Sequence, residues 1–318
     1  LNGNTETIGQ LTGGGAAGGN TQLGAGALTI ADGNGNTYGG VISGTGSVTL
    51  VTGTQTLGAD NTFTGGLNIQ NGATVGVADD DFLAGDTSAI NLDGGTVQFS
   101  ANDTWTAGTR AITVNAVGGG AISGTFDTDG NDVTINAVIA DGAAAGSVIK
   151  TGTGALTLGA ANTFSGGLFI EGGTVEVGTD TSLGVAGGAL SFDNNAELQF
   201  SGSFTDTNRP IALNTDGAGS DGGVFDTNSN NVTLQGVIAD GAGAGNLTKA
   251  GAGTLTVANN ATYTGTTTVN GGILEIGAAG SLNTTTAINV VGGELETNND
   301  NQLNDAAVVT LTNAAGAL

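Results

Sequence analysis

One short segment is written three times in this chain, about a hundred residues apart, and that spacing constrains the fold more than any local pattern. Asn61-Thr62-Phe63-Thr64-Gly65-Gly66 returns as Asn162-Thr163-Phe164-Ser165-Gly166-Gly167, and more loosely as Asn260-Ala261-Thr262-Tyr263-Thr264-Gly265. The rings at 63, 164 and 263 are separated by 101 and 99 residues. Arg110 and Arg209 are 99 apart, as are Lys150 and Lys249, and these four are the whole stock of basic residues. A chain whose rarest residues keep its period is built from stacked copies, and its function is expected on an extended surface.

Three repeats overlay on these anchors. Residues 32–128 form the first, 129–227 the second and 228–318 a truncated third, with 1–31 a partial copy ahead of them. Val41-Ile42 matches Val138-Ile139 and Val237-Ile238, and Phe126-Asp127-Thr128 matches Phe225-Asp226-Thr227. Within the second repeat, runs of alternating apolar residues sit near Val133, Leu156, Val175, Leu198 and Ile211, each bounded by Gly, Asn or Asp. Helical spacing is nowhere sustained. Near-identity at equivalent positions favours a fold in which each turn lies on a similar turn, so that like stacks on like. The expected architecture is therefore all-β: one continuous parallel β-solenoid over residues 1–318, without disulfides, in which a ~20-residue beat gives ~16 turns. A propeller fits less well, because its blades need ~40–45 residues.

Composition agrees with that reading and removes several functions. Gly contributes 62 of 318 residues and Pro one, without the triplet period that collagen requires. Glycine and Asn at fixed places supply the corners where the backbone turns left-handed. With 28 acidic residues against four basic, the net charge is −24, so phosphate backbones and anionic membranes are repelled. Nucleic acid is excluded as a partner. There is no Cys, Met or His, which removes thiolate metal sites and every catalytic scheme that leans on imidazole. No apolar run reaches the ~18 residues of a membrane helix.

Some chemistry remains to be weighed. Glycoside hydrolysis needs only two carboxylates, and Asp79, Asp80 and Asp81 form the one local acidic cluster, with Phe82 beside them. A solvated loop explains the cluster more simply. Lys150 and Lys249, like Arg110 and Arg209, occupy repeat-equivalent positions. They are expected to serve structure, for instance by pairing with a stacked carboxylate. Asp127, Asp129 and Asn131 sit at the first, third and fifth places of a calcium loop. Asp132 stands where that loop needs Gly, however, and Val138 where it needs Glu, leaving calcium as a weak candidate cofactor. Gly13 to Gly18 matches a dinucleotide loop by letters only, with neither a following helix nor a basic residue. Trp105, the sole Trp, is expected to plug a corner of the coil.

The run Lys150-Thr151-Gly152-Thr153-Gly154-Ala155-Leu156-Thr157-Leu158, then Asn162 to Gly167, then Gly172-Gly173-Thr174-Val175-Glu176-Val177, resembles the passenger-associated repeat of bacterial autotransporters. Lys249 to Val257, Tyr263-Thr264-Gly265 and Gly271-Gly272-Ile273-Leu274-Glu275-Ile276 carry it again. The first repeat departs, with Thr49 or Leu50 at the lysine position and Gly72-Ala73 for the Gly-Gly pair. The resemblance implies a right-handed parallel β-helix, exported by a C-terminal β-barrel translocator and displayed at the bacterial outer-membrane surface. That barrel would have to lie outside this sequence, and the chain is expected to continue past both termini or to stack end to end. Passengers of this kind include adhesins and biofilm proteins. The function expected is a non-enzymatic structural or adhesive stalk that self-associates, or binds surface glycans or matrix, through Thr- and Asn-rich faces. A polysaccharide hydrolase or lyase on the same scaffold is the alternative. Fold alone does not choose between them.

Overall fold

A computed structural model describes residues 1–15, 19–105, 110–115, 124–214 and 221–312. Ala16 to Gly18 of the glycine-rich run, and the last six residues of the C-terminal segment, lie outside the described residues. The chain divides into two units, Leu1–Gly166 and Gly167–Leu318, and each is a parallel β-solenoid.

In the N-terminal unit seven strands form one sheet: Glu6–Ile8, Leu28–Ile30, Val48–Leu50, Leu67–Gln70, Ile90–Asp93, Ile112–Val114 and Ile139–Asp141. Registers are unbroken, so Leu28, Val48, Leu67, Ile90, Ile112 and Ile139 form one inward column. All six are buried. Period-two alternation explains this directly: apolar residues at alternate positions enter the core and Thr or Asn between them face outward. Asn36–Tyr38, Thr54–Leu57, Thr74–Val77, Gly95–Phe99, Gly124–Asp127 and Val148–Thr151 build a second sheet. Its inward column runs Gln55, Val75, Val97, Phe126, Lys150, with a polar residue at each end.

The C-terminal unit repeats the plan. Thr174–Val177, Ala196–Phe200, Gly222–Asp226, Asn246–Ala250, Thr266–Val269, Ala287–Val290 and Val308–Leu311 pair in parallel. They carry an inward column through Val175, Leu198, Phe225, Lys249, Val269 and Val290. Leu168–Ile170, Leu190–Phe192, Ile211–Leu213 and Ile238–Asp240 form another sheet. A third is built from Phe204–Thr205, Val232–Leu234, Thr254–Val257, Ile273–Ile276 and Glu294–Thr297.

The coil has about 13 turns, fewer than the ~16 expected from a ~20-residue beat. Turns are longer than the beat suggests. Val48 to Leu67 advances one turn in 19 residues, whereas Gly95 to Gly124 takes 29. Several alternating runs belong to one turn, and the loops between them absorb the difference. Corners follow the glycine expectation. Gly152 and Gly251, each two residues after a repeat lysine, have φ of 77° and 73°. A Cβ at either would strike the backbone nitrogen of Asp129 or Asn228 in the adjoining turn.

Candidate functional site

The basic residues and the aromatic rings that the repeat singled out are drawn into the interior. Phe63, Phe164 and Tyr263 are buried core side chains. The Tyr263 hydroxyl bonds Thr267, whose Oγ1 lies 3.2 Å from that of Thr285, so the third repeat replaces apolar packing by a buried hydroxyl chain. Two residues ahead of the first two rings stands an Asn whose role spacing alone does not reveal. Asn61 Oδ1 accepts from the Ile42 N–H at 2.7 Å, and Asn162 Oδ1 from Ile139 N–H at 2.9 Å. The aromatic motif and the Val-Ile motif are thus two halves of one clasp between turns. In the third repeat Ala261, also buried, takes that position and the clasp is absent.

The lysines serve structure by a different route from the one expected. Lys249 Nζ donates to the carbonyl oxygens of Ala250, Gly251 and Gly271 at 2.6, 2.9 and 3.1 Å. Lys150 Nζ donates to Thr151 and Gly152, both at 2.8 Å. Carbonyl dipoles at a glycine corner receive each ammonium. Asp226 and Asp127 are nearby charges. Burial pulls both lysines down to about 8, against the partial support of those aspartates. Asp127 and Asp226 stand at outward positions of the strands whose Phe126 and Phe225 stack on the lysines.

The arginines staple loops. Arg209, fully buried, meets Asp180 Oδ1 at 2.6 Å through Nε. It also donates to the carbonyls of Leu183, Val185, Gly188, Asp180 and Gly184. Those acceptors belong to the 3-10 turn Asp180–Leu183 and the loop after it. Arg110 does the same for the 3-10 turn Asp80–Phe82, donating to Asp80 O at 2.8 Å and Ala84 O at 3.0 Å. Its ion pairs are looser, 3.7 Å to Asp80 and 3.9 Å to Asp86. In the third repeat the buried Gln302 donates to Gly277 O and Gly280 O.

The acidic cluster is the one place where titratable groups crowd. Carboxylate oxygens of Asp79, Asp80 and Asp81 lie within 4.8 Å of one another. Asp79 caps the 3-10 turn, accepting from Asp81 N–H, and Phe82 is half-buried at its end. Burial raises Asp80 to about 6; Arg110 opposes the shift, and Asp103, Asp81 and Asp79 add to it. Burial likewise raises Asp103, against hydrogen bonds from Thr104 N–H and the Trp105 indole. Trp105 does plug the coil. It lies 5.7 Å from Phe99 and 6.3 Å from Phe126, with the Arg110 guanidinium 5.6 Å from its centroid, and it is 1% exposed. The rings beside these carboxylates are the buried Trp105 and the half-buried Phe82.

Asp127, Asp129 and Asn131 form a corner. Asp127 Oδ2 accepts from Gln98 at 2.9 Å and its Oδ1 from Asp129 N–H at 3.0 Å. The Asn131 amide nitrogen turns to the Phe99 and Thr128 carbonyls. Asp226 is held the same way, by Gln199 and Asn228 N–H. These groups are engaged in closing the turn.

What reaches solvent is the outward column of each sheet, chiefly Thr, Asn and acidic residues held in parallel register. Residues 52–75, 148–177 and 247–276 match the passenger-associated-transport-repeat. The first match starts after the position where the lysine is missing. Over 179 residues, 53% of this chain, the sequence is 32% identical to the Adhesin BmaC autotransporter of Brucella suis biovar 1 (strain 1330). The chain spans 4% of that relative's length. No solved structure is significantly similar. Repeats, relative and coil together support an autotransporter passenger with β-helix repeats, a likeness that goes with a secreted or cell-surface protein.

Proposed function

We propose that the chain is a non-enzymatic adhesive segment, displayed at the bacterial outer-membrane surface, that works by presenting ordered polar sheet faces to a surface. One observation carries this reading. The lysines, arginines and repeat aromatics that chemistry would use are buried in structural roles, while Thr and Asn columns are left facing outward. The relative's printed name, an adhesin, supports it. Weak polar contacts become useful when many copies act together, because linked sites gain effective concentration without new chemistry.

A polysaccharide-active enzyme is the second reading, favoured by Asp80 being raised to about 6 beside a raised Asp103. A glycan array and matrix-coated wells probed with the purified chain, run beside a reducing-sugar assay on a polysaccharide panel, separate the two. Retention without turnover is the expected result. Turnover that disappears in Asp80→Asn would overturn the adhesive reading.

A further inference from the structure

One cavity of the C-terminal unit lies apart from the groups weighed so far. Its volume is about 320 Å³, and Asn283, Asn301, Leu303, Asn304 and Asp305 line it. A second cavity of about 280 Å³ shares Asn301, Leu303 and Asp305 with it and adds Asp300. The loop around both is fastened to the preceding turn. Gln302 donates to Gly277 O and Gly280 O, Asn299 Nδ2 to Ala278 O and Asn304 Nδ2 to Thr285 O. Leu303 also bridges Leu282 in parallel. Within that frame the tip of the Asn283 amide stands 3.3 Å from two backbone oxygens at once, those of Asn301 and Leu303. Residues 250–318 contain no Lys or Arg, so Asp300 and Asp305 have no basic residue near them in sequence.

We infer that this cavity is a calcium site, its ligands being Asn283 Oδ1, the carbonyl oxygens of Asn301 and Leu303, and the Asp305 carboxylate. The spacing selects the ion. An amide nitrogen and a carbonyl oxygen settle at ~2.9–3.0 Å when hydrogen bonding alone sets their distance. With its nitrogen inward, Asn283 reaches both acceptors only at 3.3 Å. Two oxygens at right angles on a calcium ion, each ~2.3–2.6 Å from it, lie ~3.3–3.7 Å apart. On magnesium, with bonds of ~2.0–2.1 Å, the same edge shrinks to ~2.9 Å. A half-turn of the amide about its last bond exchanges nitrogen for oxygen and sets three oxygens side by side. Nitrogen inward serves the free loop, and oxygen inward serves the ion. Neutral carbonyl and amide oxygens with a carboxylate suit a hard cation, and water completes the shell on the exposed side of Asp305. The carboxylates of Asp79, Asp80 and Asp81 differ in having the Arg110 guanidinium already against them. So few charged ligands at an exposed site place the affinity at the weak end of the calcium range, ~10⁻⁴–10⁻³ M. The ion ties Asn283 on one turn to residues 301–305 on the next, a role independent of the adhesive reading.

Isothermal titration calorimetry of the purified chain with calcium chloride tests this, beside magnesium chloride at matched ionic strength. Calcium should bind with a Kd of ~10⁻⁴–10⁻³ M and magnesium about tenfold or more weakly. Asp305→Asn should weaken calcium about tenfold, since it removes the charged ligand. Asn283→Asp should tighten it several-fold by exchanging an amide oxygen for a carboxylate. A side chain that serves only to donate to the two carbonyls gains nothing from that change. Hydrogen exchange across residues 298–305 should slow with calcium and not with magnesium. Circular dichroism without metal confirms that each variant folds, and the opposite signs of the two substitutions leave either one decisive without the other. No heat at ~10 mM calcium overturns the inference, because that lies well above the expected Kd. So does an equal response to both metals. Binding that survives Asp305→Asn and falls in Asp81→Asn overturns it too, by placing the ion at the acidic 3-10 turn.

Discussion

Arg110 and Arg209 occupy the same place in successive repeats and perform the same mechanical task in different electrostatic settings. Arg209 faces one carboxylate at 2.6 Å and five carbonyls, in a site closed to water. Arg110 faces two carbonyls and two carboxylates at 3.7 and 3.9 Å, with Asp79, Asp81 and Asp103 crowded around its partner Asp80. The repeat therefore fixes the staple and leaves its charge balance free. A loop stapled by a saturated, neutralised Arg is held by geometry at any ordinary pH. A loop stapled among surplus acids is held in proportion to their protonation.

The contrast is broken most directly by removing each cation. Arg209→Met should cost ~3–5 kcal/mol, because it removes the donor shared by Asp180 and five carbonyls. Arg110→Met should cost ~1–2 kcal/mol, since its acids keep access to water. Urea unfolding measures both, and equal losses would erase the distinction.

A second pair tests whether clasps elsewhere are equivalent. Asp141 accepts from Gly146 N–H, Ser165 N–H and Ser165 Oγ, and Asp240 from Gly245 N–H, Thr264 N–H and Thr264 Oγ1. Substituting either by Ala should cost ~2 kcal/mol, with matched losses. Burial raises Asp141, but its three hydrogen bonds outweigh burial and leave it below the ordinary 3.8. Its contribution is then full above 3.8 and fades as pH falls below that value, absent in Asp141→Asn.

The lysine pair should respond alike. Each is depressed from 10.5 to about 8, so between those values the unfolded chain binds more protons than the folded one. Stability should rise by ~1 kcal/mol per lysine as pH climbs through that window, and Lys150→Met and Lys249→Met should each remove their part. Thermal midpoints from pH 7 to 10.5 report it.

The smallest effect falls on the acid-rich loop. Asp80 is raised from 3.8 to about 6, so the folded loop holds the extra proton. The resulting stabilisation is complete below 3.8 and lost as pH rises through 6, at ~0.5 kcal/mol once solvent screening is allowed for. Hydrogen exchange should show residues 79–86 opening more readily at pH 7 than at pH 4, with residues 179–188 unchanged. Parallel behaviour of the two loops would remove the electrostatic difference.

Much of the fold was legible because a coil obeys two periods that a sequence displays openly, alternation within a strand and the repeat between copies. Leu, Val and Ile at alternate positions found the core columns without any knowledge of partners. The number of turns was less legible, since loop length sets each turn and runs inside a single turn look like separate ones. The contacts of the marked residues were legible in kind but not in partner. Asn61 holds Ile42, and Arg209 holds Asp180, across 19 and 29 residues of chain. Which residue lies above which depends on turn length, so adjacency across turns cannot be read from spacing. The lysines show the same limit: their acceptors are backbone oxygens, which carry no letter in the sequence.

The inward lysine has one more consequence. A chain assembled from near-copies can be stacked in many nearly equivalent ways, and most columns here, Val on Leu or Ile on Ile, would hardly register a slip of one coil. Lys249 interrupts such a column, sitting between Phe225 and Val269. Shifted by one turn, its ammonium would leave its three carbonyls and enter hydrocarbon, at a cost of several kcal/mol, roughly the stability of a small domain. Buried charges spaced a hundred residues apart thus act as index marks on a ruler, telling otherwise interchangeable coils where to stop.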